Sequence, residues 1–376
     1  MSEAAHPSSP AHIAVGRSLW ADARARLFAN RAAVASIFTL ALIALASIFG
    51  PWLTGHDYTK VYPDFVRIGP SLSAYPKAAQ LEPAIERIAA RARAKAEDIV
   101  REGDTIKLTL VSTRAIDERL LVYFERSDMF GAPLVAGRSE EGRRLSVSVP
   151  VENRYFIFGT DANGRDLLTR TLFAGRISLA IGLLAAGVGV IIGVIYGATS
   201  GFFGGRVDDV MMRIVDIIYA LPFIFFVIML VVFFGRNFVL MFLAVGAVEW
   251  LDMARIVRGQ TLSIKRQEYV QAAEALGVGN AGIIRRHIIP NALGPVVVYM
   301  TLLVPKVILL ESFLSFLGLG VQEPMTSWGV LIADGARNIQ NAEWLLLFPA
   351  LFLVSTLFAL NFLGDGLRDA LDPKDR

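Results

Sequence analysis

The chain has 376 residues, enough for two or three soluble domains or one mid-sized membrane protein. Hydrophobic residues make up 54% and charged residues only 19%, a balance that argues against a soluble enzyme. The net charge of +3 is too small to suggest a nucleic-acid binder, and the absence of cysteine excludes disulfides, thiolate metal sites and cysteine nucleophiles.

The charge is unevenly spread. Residues 54–158 carry 16 Lys+Arg and 15 Asp+Glu, about 30% of that stretch, against about 15% elsewhere. The pattern predicts one soluble-type module embedded in a membrane protein. Residues 1–31 form an N-terminal segment. An uncharged run from Ala32 to Gly55 follows, and it predicts a first membrane helix over 32–53. That run is too long for the apolar core of a signal peptide, and no small-residue cleavage pattern follows it before Pro51 and Trp52. It therefore reads as an uncleaved helix.

Within 54–158 the sequence predicts a small α+β insertion. Ile85, Ile88, Ala89, Ala92, Ala96, Ile99 and Val100 recur at helical spacing, with Gly103 as the expected C-cap. Ile106, Leu108 and Leu110 alternate with polar residues as in a half-buried strand, and Leu120–Phe124 and Leu145–Val149 read as further strands. A passive lid and a docking or gating surface are both open as its role.

The remaining segment, 159–370, predicts five more membrane helices. Uncharged runs cover Ile177–Gly205, Ile217–Gly235 and Trp344–Gly364. Asn237–Val248 and Asn291–Pro305 are apolar but run into Glu249 and Asp252, and into Lys306 and Glu311. The expected fold class is an all-α polytopic membrane protein with six transmembrane helices and an external α+β insertion between the first two. Lys and Arg cluster in the segments before the first helix, between the second and third, after the fourth and after the sixth. Only Arg236 and Arg337 stand in the short loops on the other side, so both termini, including the tail 371–376, are expected in the cytoplasm.

Gly189, Gly193, Gly197, Gly201 and Gly205 recur every fourth residue and predict a ridge for close helix packing or for sliding during gating. Glu249 and Asp252 share a helix face near the expected inner end of the fourth span. They read either as interface carboxylates neutralised by Arg255 or Arg258, or as part of a substrate path. Lys306 and Glu311 could pair with other helices or line the same path.

Between Arg258 and Pro290 the chain is amphipathic and too charged to span. Tyr269–Leu276 predicts a helix broken at Gly277, and Ile283, Ile284, His287 and Ile288 predict a second, stopped at Pro290. Two short helices would make a rigid knob whose small residues, Ala272 and Ala273, can enter a groove on a partner. A loose basic surface loop is the alternative.

This segment resembles the EAA motif of ABC-importer permeases, which reads Glu-Ala-Ala, three residues, Gly, nine residues, Ile, one residue, Leu-Pro. Gln271, Ala272, Ala273, Gly277 and Pro290 fall at those spacings, while Gln271 replaces the acid, His287 the first apolar residue and Ile289 the usual Leu. GTDANGRDLLTR (Gly159–Arg170), SFLSFLGLGVQEPMTSWG (Ser312–Gly329) and LGDGLRDALDP (Leu363–Pro373) are similar to the C-type permease of dipeptide and oligopeptide importers. The resemblance covers 17–53 weakly and 159–373 strongly but not the insertion, whose length is similar to that of the Yej-type oligopeptide and microcin C importers.

The resemblance implies an alternating-access importer in the bacterial inner membrane, with no catalytic residue and no metal site in this chain. Its implied partners are a homologous second permease, two ATPase subunits that bind ATP and Mg, and a periplasmic or lipid-anchored peptide-binding protein. The loop 258–290 would couple to the ATPases through Tyr269, Gln271, Ala272, Ala273, Gly277, His287 and Pro290. Glu249, Asp252, Lys306 and Glu311 are the candidates for the path. Among rivals, an intramembrane enzyme lacks an HExxH pair and any Gly-Lys dipeptide, and His6, His12, His56 and His287 are scattered over several topological sides. A secondary transporter should show internal inverted repeats, and none is visible. A receptor or other non-transport membrane protein would not need the punctuated knob.

Overall fold

The computed structural model describes residues 19–235 and 238–371. His6, His12, Arg236, Asn237 and the tail from Asp372, all used in the sequence reading, lie outside that range. The N-terminal helix α1 (Leu19–Ala29) is followed at once by α2 (Arg31–Leu53). Asn30 separates the two: its side chain accepts from the Ala32 and Ala33 amides, capping two of the donors that a helix start leaves open.

The insertion holds α3 (Ala78–Arg91), β1 (Lys95–Glu102), β2 (Thr105–Val111), the short α4 (Val122–Glu125), β3 (Leu134–Ser139) and β4 (Arg144–Pro150). All strands pair antiparallel in the order β1-β2-β4-β3. Leu81, Ile85 and Ile88 of α3 share one core with Ile106, Leu108, Leu110, Leu145, Val147 and Val149. That is the period-2 inward face of the two central strands. The expected helix over 85–100 is corrected. It stops at Arg91, Arg93 takes φ 55, and Ile99 and Val100 belong to β1. Gly103, at φ 62, makes the β1–β2 turn rather than a C-cap. Leu120–Phe124 is helical, not a strand.

The neck of the insertion is a bridge between Tyr75 and Arg154, whose amides and carbonyls bond reciprocally at 2.8 and 2.9 Å. Tyr62, Phe65 and Phe156 pack beside it. The Tyr62 amide also reaches the Gly164 carbonyl at 3.1 Å, which ties the insertion to the entry of the next membrane helix.

That helix, α5 (Leu167–Phe203), starts ten residues before the expected Ile177, because Asp166 caps it by accepting from the Thr169 amide at 2.7 Å. It is followed by α6 (Gly205–Ala220) and α7 (Phe223–Phe234), bent by 78° at the break before Pro222. The expected span 217–235 thus starts inside α6 and is bent rather than one continuous helix. Proline lacks the N–H that would continue the ladder and disfavours helix in the residue before it. After α7 come α8 (Phe238–Ile264), α9 (Glu268–Ala275), α10 (Asn280–Ile283), α11 (Ile289–Phe316), α12 (Trp328–Arg337) and α13 (Trp344–Leu371).

Four helical runs among the described residues are long and apolar enough to cross a membrane: α2, α5, Asn280–Phe316 and α13. The bent pair α6–α7 makes a fifth if it counts as one span. In α8 the charges Glu249, Asp252 and Arg255 interrupt the apolar run.

The glycine ridge packs against α8. A Cβ on Gly193 would stand 2.6 Å from the Met253 side chain, one on Gly197 would collide with the Ala254 carbonyl, and one on Gly201 would lie 2.8 Å from the Arg258 carbonyl. The bare glycines let the two backbones approach this closely. Gly205 is not part of the ridge: it has φ 54 and opens α6.

Candidate functional site

The knob is built on one short helix and one turn. α9 ends in a Schellman arrangement: the Gly277 amide donates to the Glu274 carbonyl at 3.0 Å and the Val278 amide to the Ala273 carbonyl at 3.1 Å. Closing it requires Gly277 at φ +77, a left-handed conformation that only glycine adopts freely. Val270 and Ala273 face inward, onto a cluster with Ile283, Ile288 and Ala292. Ala272, Gln271 and Leu276 face out, with Leu276 84% exposed and Tyr269 44%. The two alanines read as one docking edge are therefore split: Ala273 anchors the helix and Ala272 presents it.

The second predicted helix is not separate. Residues Ile284–Ile288 form a π-helical turn that runs from α10 directly into α11. Pro290 does not stop it: the helix runs on through the proline, directly after the π turn, the kind of local adjustment by which a helix accommodates a missing N–H. His287 lies in the π turn with its ring 6.3 Å from that of Tyr269, and its carbonyl accepts from Asn291 Nδ2 at 2.6 Å. π turns recur at functional sites in helices.

The charged candidates separate into two places. Lys306 of α11 reaches Glu249 at 2.9 Å and Asp252 at 3.2 Å, both on α8. Arg255 and Arg258, the partners expected from local spacing, are engaged elsewhere: Arg255 with Asp216 at 2.8 Å and Arg258 with Asp208 in a two-pronged pair on α6. The Glu249 side chain is 4% exposed and that of Lys306 51%, so one carboxylate is sealed and the cation faces open space. Glu249 stands eleven residues from the start of α8 and fifteen from its end, about 16 and 22 Å along the axis, because α8 runs on well past the uncharged stretch that ends at Val248.

Glu311 does not join this cluster. It is fully buried, and its Oε1 accepts from the Ser315 and Ser327 hydroxyls, both at 2.6 Å. Ser327 caps α12, so Glu311 ties the segment after α11 back onto that helix. Trp328, also fully buried, locks the same segment to α5, donating from Nε1 to the Thr171 carbonyl at 3.0 Å and from its amide to Ser178 Oγ at 3.1 Å.

Sequence reasoning missed a network at the α5 entry. Asp161 accepts from Arg165 and Arg170, each at 2.8 Å, and Arg165 reaches Glu323 at 2.8 Å. The GTDANGRD motif is thus a folded turn that clamps the insertion, α5 and the loop before α12. Burial pushes the Asp166 carboxyl up, against the lowering effect of its hydrogen bonds from Thr169. Among the described residues no cluster of His, Asp and Glu could hold a metal.

Residues 189–376 match the family described as binding-protein-dependent transport system inner membrane component. Residues 18–79 match the N-terminal TM domain of oligopeptide transport permease C. The oligopeptide transport system permease protein OppC of Escherichia coli K12 is 47% identical over 96% of this chain and 93% of its own length. OppC of Haemophilus influenzae is 45% identical over 96% of this chain and 90% of its own. The dipeptide transport system permease protein DppC of Bacillus subtilis is 50% identical over 58% of this chain and 69% of its own. The two family models leave residues 80–188, which hold most of the insertion, unmatched. On this similarity and the helices that carry it, the chain belongs to the inner-membrane permease components of binding-protein-dependent ABC importers, among the oligopeptide and dipeptide transport permeases.

Proposed function

We propose that the chain forms half of the translocation pathway of an ATP-driven peptide importer in the bacterial inner membrane. A homologous second permease supplies the other half. Two ATPase subunits bind ATP and Mg, and a periplasmic or lipid-anchored binding protein delivers the peptide. In this reading α8 is the sixth crossing helix, both termini are cytoplasmic, and residues 54–158 face outward. The names of the OppC and DppC relatives support peptides as the cargo.

The observation that carries the proposal is the α9 knob. It presents Ala272 and Leu276 outward from a base fixed by Val270 and Ala273, and it continues through the π turn into α11, which bears Lys306. In this reading a push on the knob is transmitted to the helix that carries Lys306. Proteoliposomes holding the chain with its permease and ATPase partners should accumulate a labelled oligopeptide only when ATP and the binding protein are both present. Accumulation without ATP would reject the reading.

The orientation has its own test, made simple by the cysteine-free chain. Ser139 on β3 and Ser263 near the end of α8 are both exposed. A cysteine at 139 should react with an impermeant thiol reagent in outer-membrane-permeabilised cells, and one at 263 only once the inner membrane is opened. The reverse pattern would invert the topology.

A further inference from the structure

α2 runs unbroken through Pro51, whose ring nitrogen has no hydrogen to give to the Ser47 carbonyl one turn earlier. In a lipid-facing helix an unmet carbonyl is costly. Arg176 of α5 closes the gap: its Nε donates to the Ser47 carbonyl at 2.7 Å and its Nη2 to the Ile48 carbonyl. The guanidinium carries five N–H donors in one plane, so two bonds fix its orientation and leave others outward. It lies 5.3 Å from the Trp52 ring and 5.6 Å from that of Phe173, and among the described residues no carboxylate pairs with it.

Beside this fixed cation, α2 and α5 leave a groove of about 420 Å³, walled by Ala44, Ile48, Leu179, Ala180 and Leu183 and edged by Trp52. Trp52 is 72% exposed. Ser47 is six residues from the end of α2, about 9 Å along its axis, so the guanidinium sits near the level where indole rings mark the membrane interface. An apolar slot between two membrane helices, with an unneutralised cation held at its interfacial end, is complementary to an amphiphile with an anionic head.

We propose that this groove is a phospholipid site: the phosphodiester binds Arg176 and one acyl chain lies between α2 and α5, in the leaflet beside the insertion. The Arg176 contacts to α2 make the site double as a clamp, so an occupied groove holds the first helix against the core.

The test uses the assembled importer, delipidated in maltoside and titrated with phosphatidylglycerol bearing brominated chains. Trp52 emission is taken as the difference between the natural chain and Trp52→Phe. Saturable quenching is expected. Arg176→Gln, whose amide can still donate to the Ser47 carbonyl, should weaken it about tenfold or more, as loss of a charge-assisted contact does. Ala180→Leu, which fills the slot and leaves Arg176 in place, should weaken it similarly, while Arg176→Lys should retain most of it. Equal titrations for the natural chain, Arg176→Gln and Ala180→Leu would mean ordinary annular lipid and overturn the proposal. So would equal quenching by a brominated diacylglycerol that lacks phosphate. If Arg176→Gln fails to assemble, the Ala180→Leu and diacylglycerol comparisons still decide.

Discussion

Gly277→Val is expected to insert into the membrane and assemble but to abolish uptake, with ATPase stimulation by the loaded binding protein falling to the basal rate. Valine at φ +77 is strained by about 1–2 kcal/mol, and a β-branched side chain adds to that. The substituted chain relieves the strain by giving up the turn. The bonds from the Gly277 and Val278 amides then open, and Leu276 and Ala272 leave their positions. Apart from its chain neighbours, nothing lies within 4 Å of a Cβ built at this site, so the loss cannot be ascribed to a clash in the core. Membrane yield, complex assembly and stimulated hydrolysis, measured side by side, check the expectation. Normal uptake would show that the turn carries no coupling.

The second large effect is expected at Lys306. Lys306→Met leaves Glu249 sealed without its counter-charge. Breaking a buried pair costs roughly 3–5 kcal/mol, and the half-exposed lysine places this one toward the lower end. The variant should lose several degrees of thermal stability. Adding Glu249→Gln should recover most of the loss, because a neutral pair needs no counter-ion. The path reading makes a further demand on that double variant. With Lys306, Glu249 and Asp252 ionised, the natural cluster carries a net charge of −1 and favours cationic cargo. The double variant also carries −1, on Asp252 alone, so it should keep that preference, whereas adding Asp252→Asn removes the last charge and should lower the ratio of cationic to acidic peptide uptake. An unchanged ratio in a stable triple variant would leave the three residues a structural pairing alone.

What was legible in the sequence follows from how local each interaction is. The knob could be read because its helix and its glycine turn are set by residues a few positions apart. The glycine ridge could be read because a four-residue period is a property of one helix, and only Gly205, beyond the end of α5, escaped the rule. The pairing of Lys306 could not be read. Its partners lie 54 and 57 positions away, and Arg255 and Arg258 offered closer cations that α6 had already claimed.

The same limit hid the service of Arg176 to Pro51, since nothing near residue 176 in the chain announces a carbonyl on α2. In the insertion the fault was periodicity itself. Apolar residues at helical spacing continue from Ile85 to Val100, while the register shift in β1 between Glu97 and Val100 blurs the alternation of a strand. The Leu120–Phe124 run was too short for its period to decide between helix and strand.

The knob is the point where the account stands or falls. A cysteine placed at Leu276 in the assembled, otherwise cysteine-free permease should crosslink to an ATPase subunit bearing a cysteine in its cleft, and the crosslink should arrest ATP-driven uptake until it is reduced. Leu276 labelled from the periplasmic side, or crosslinked with no effect on uptake, would contradict the coupling role of α9.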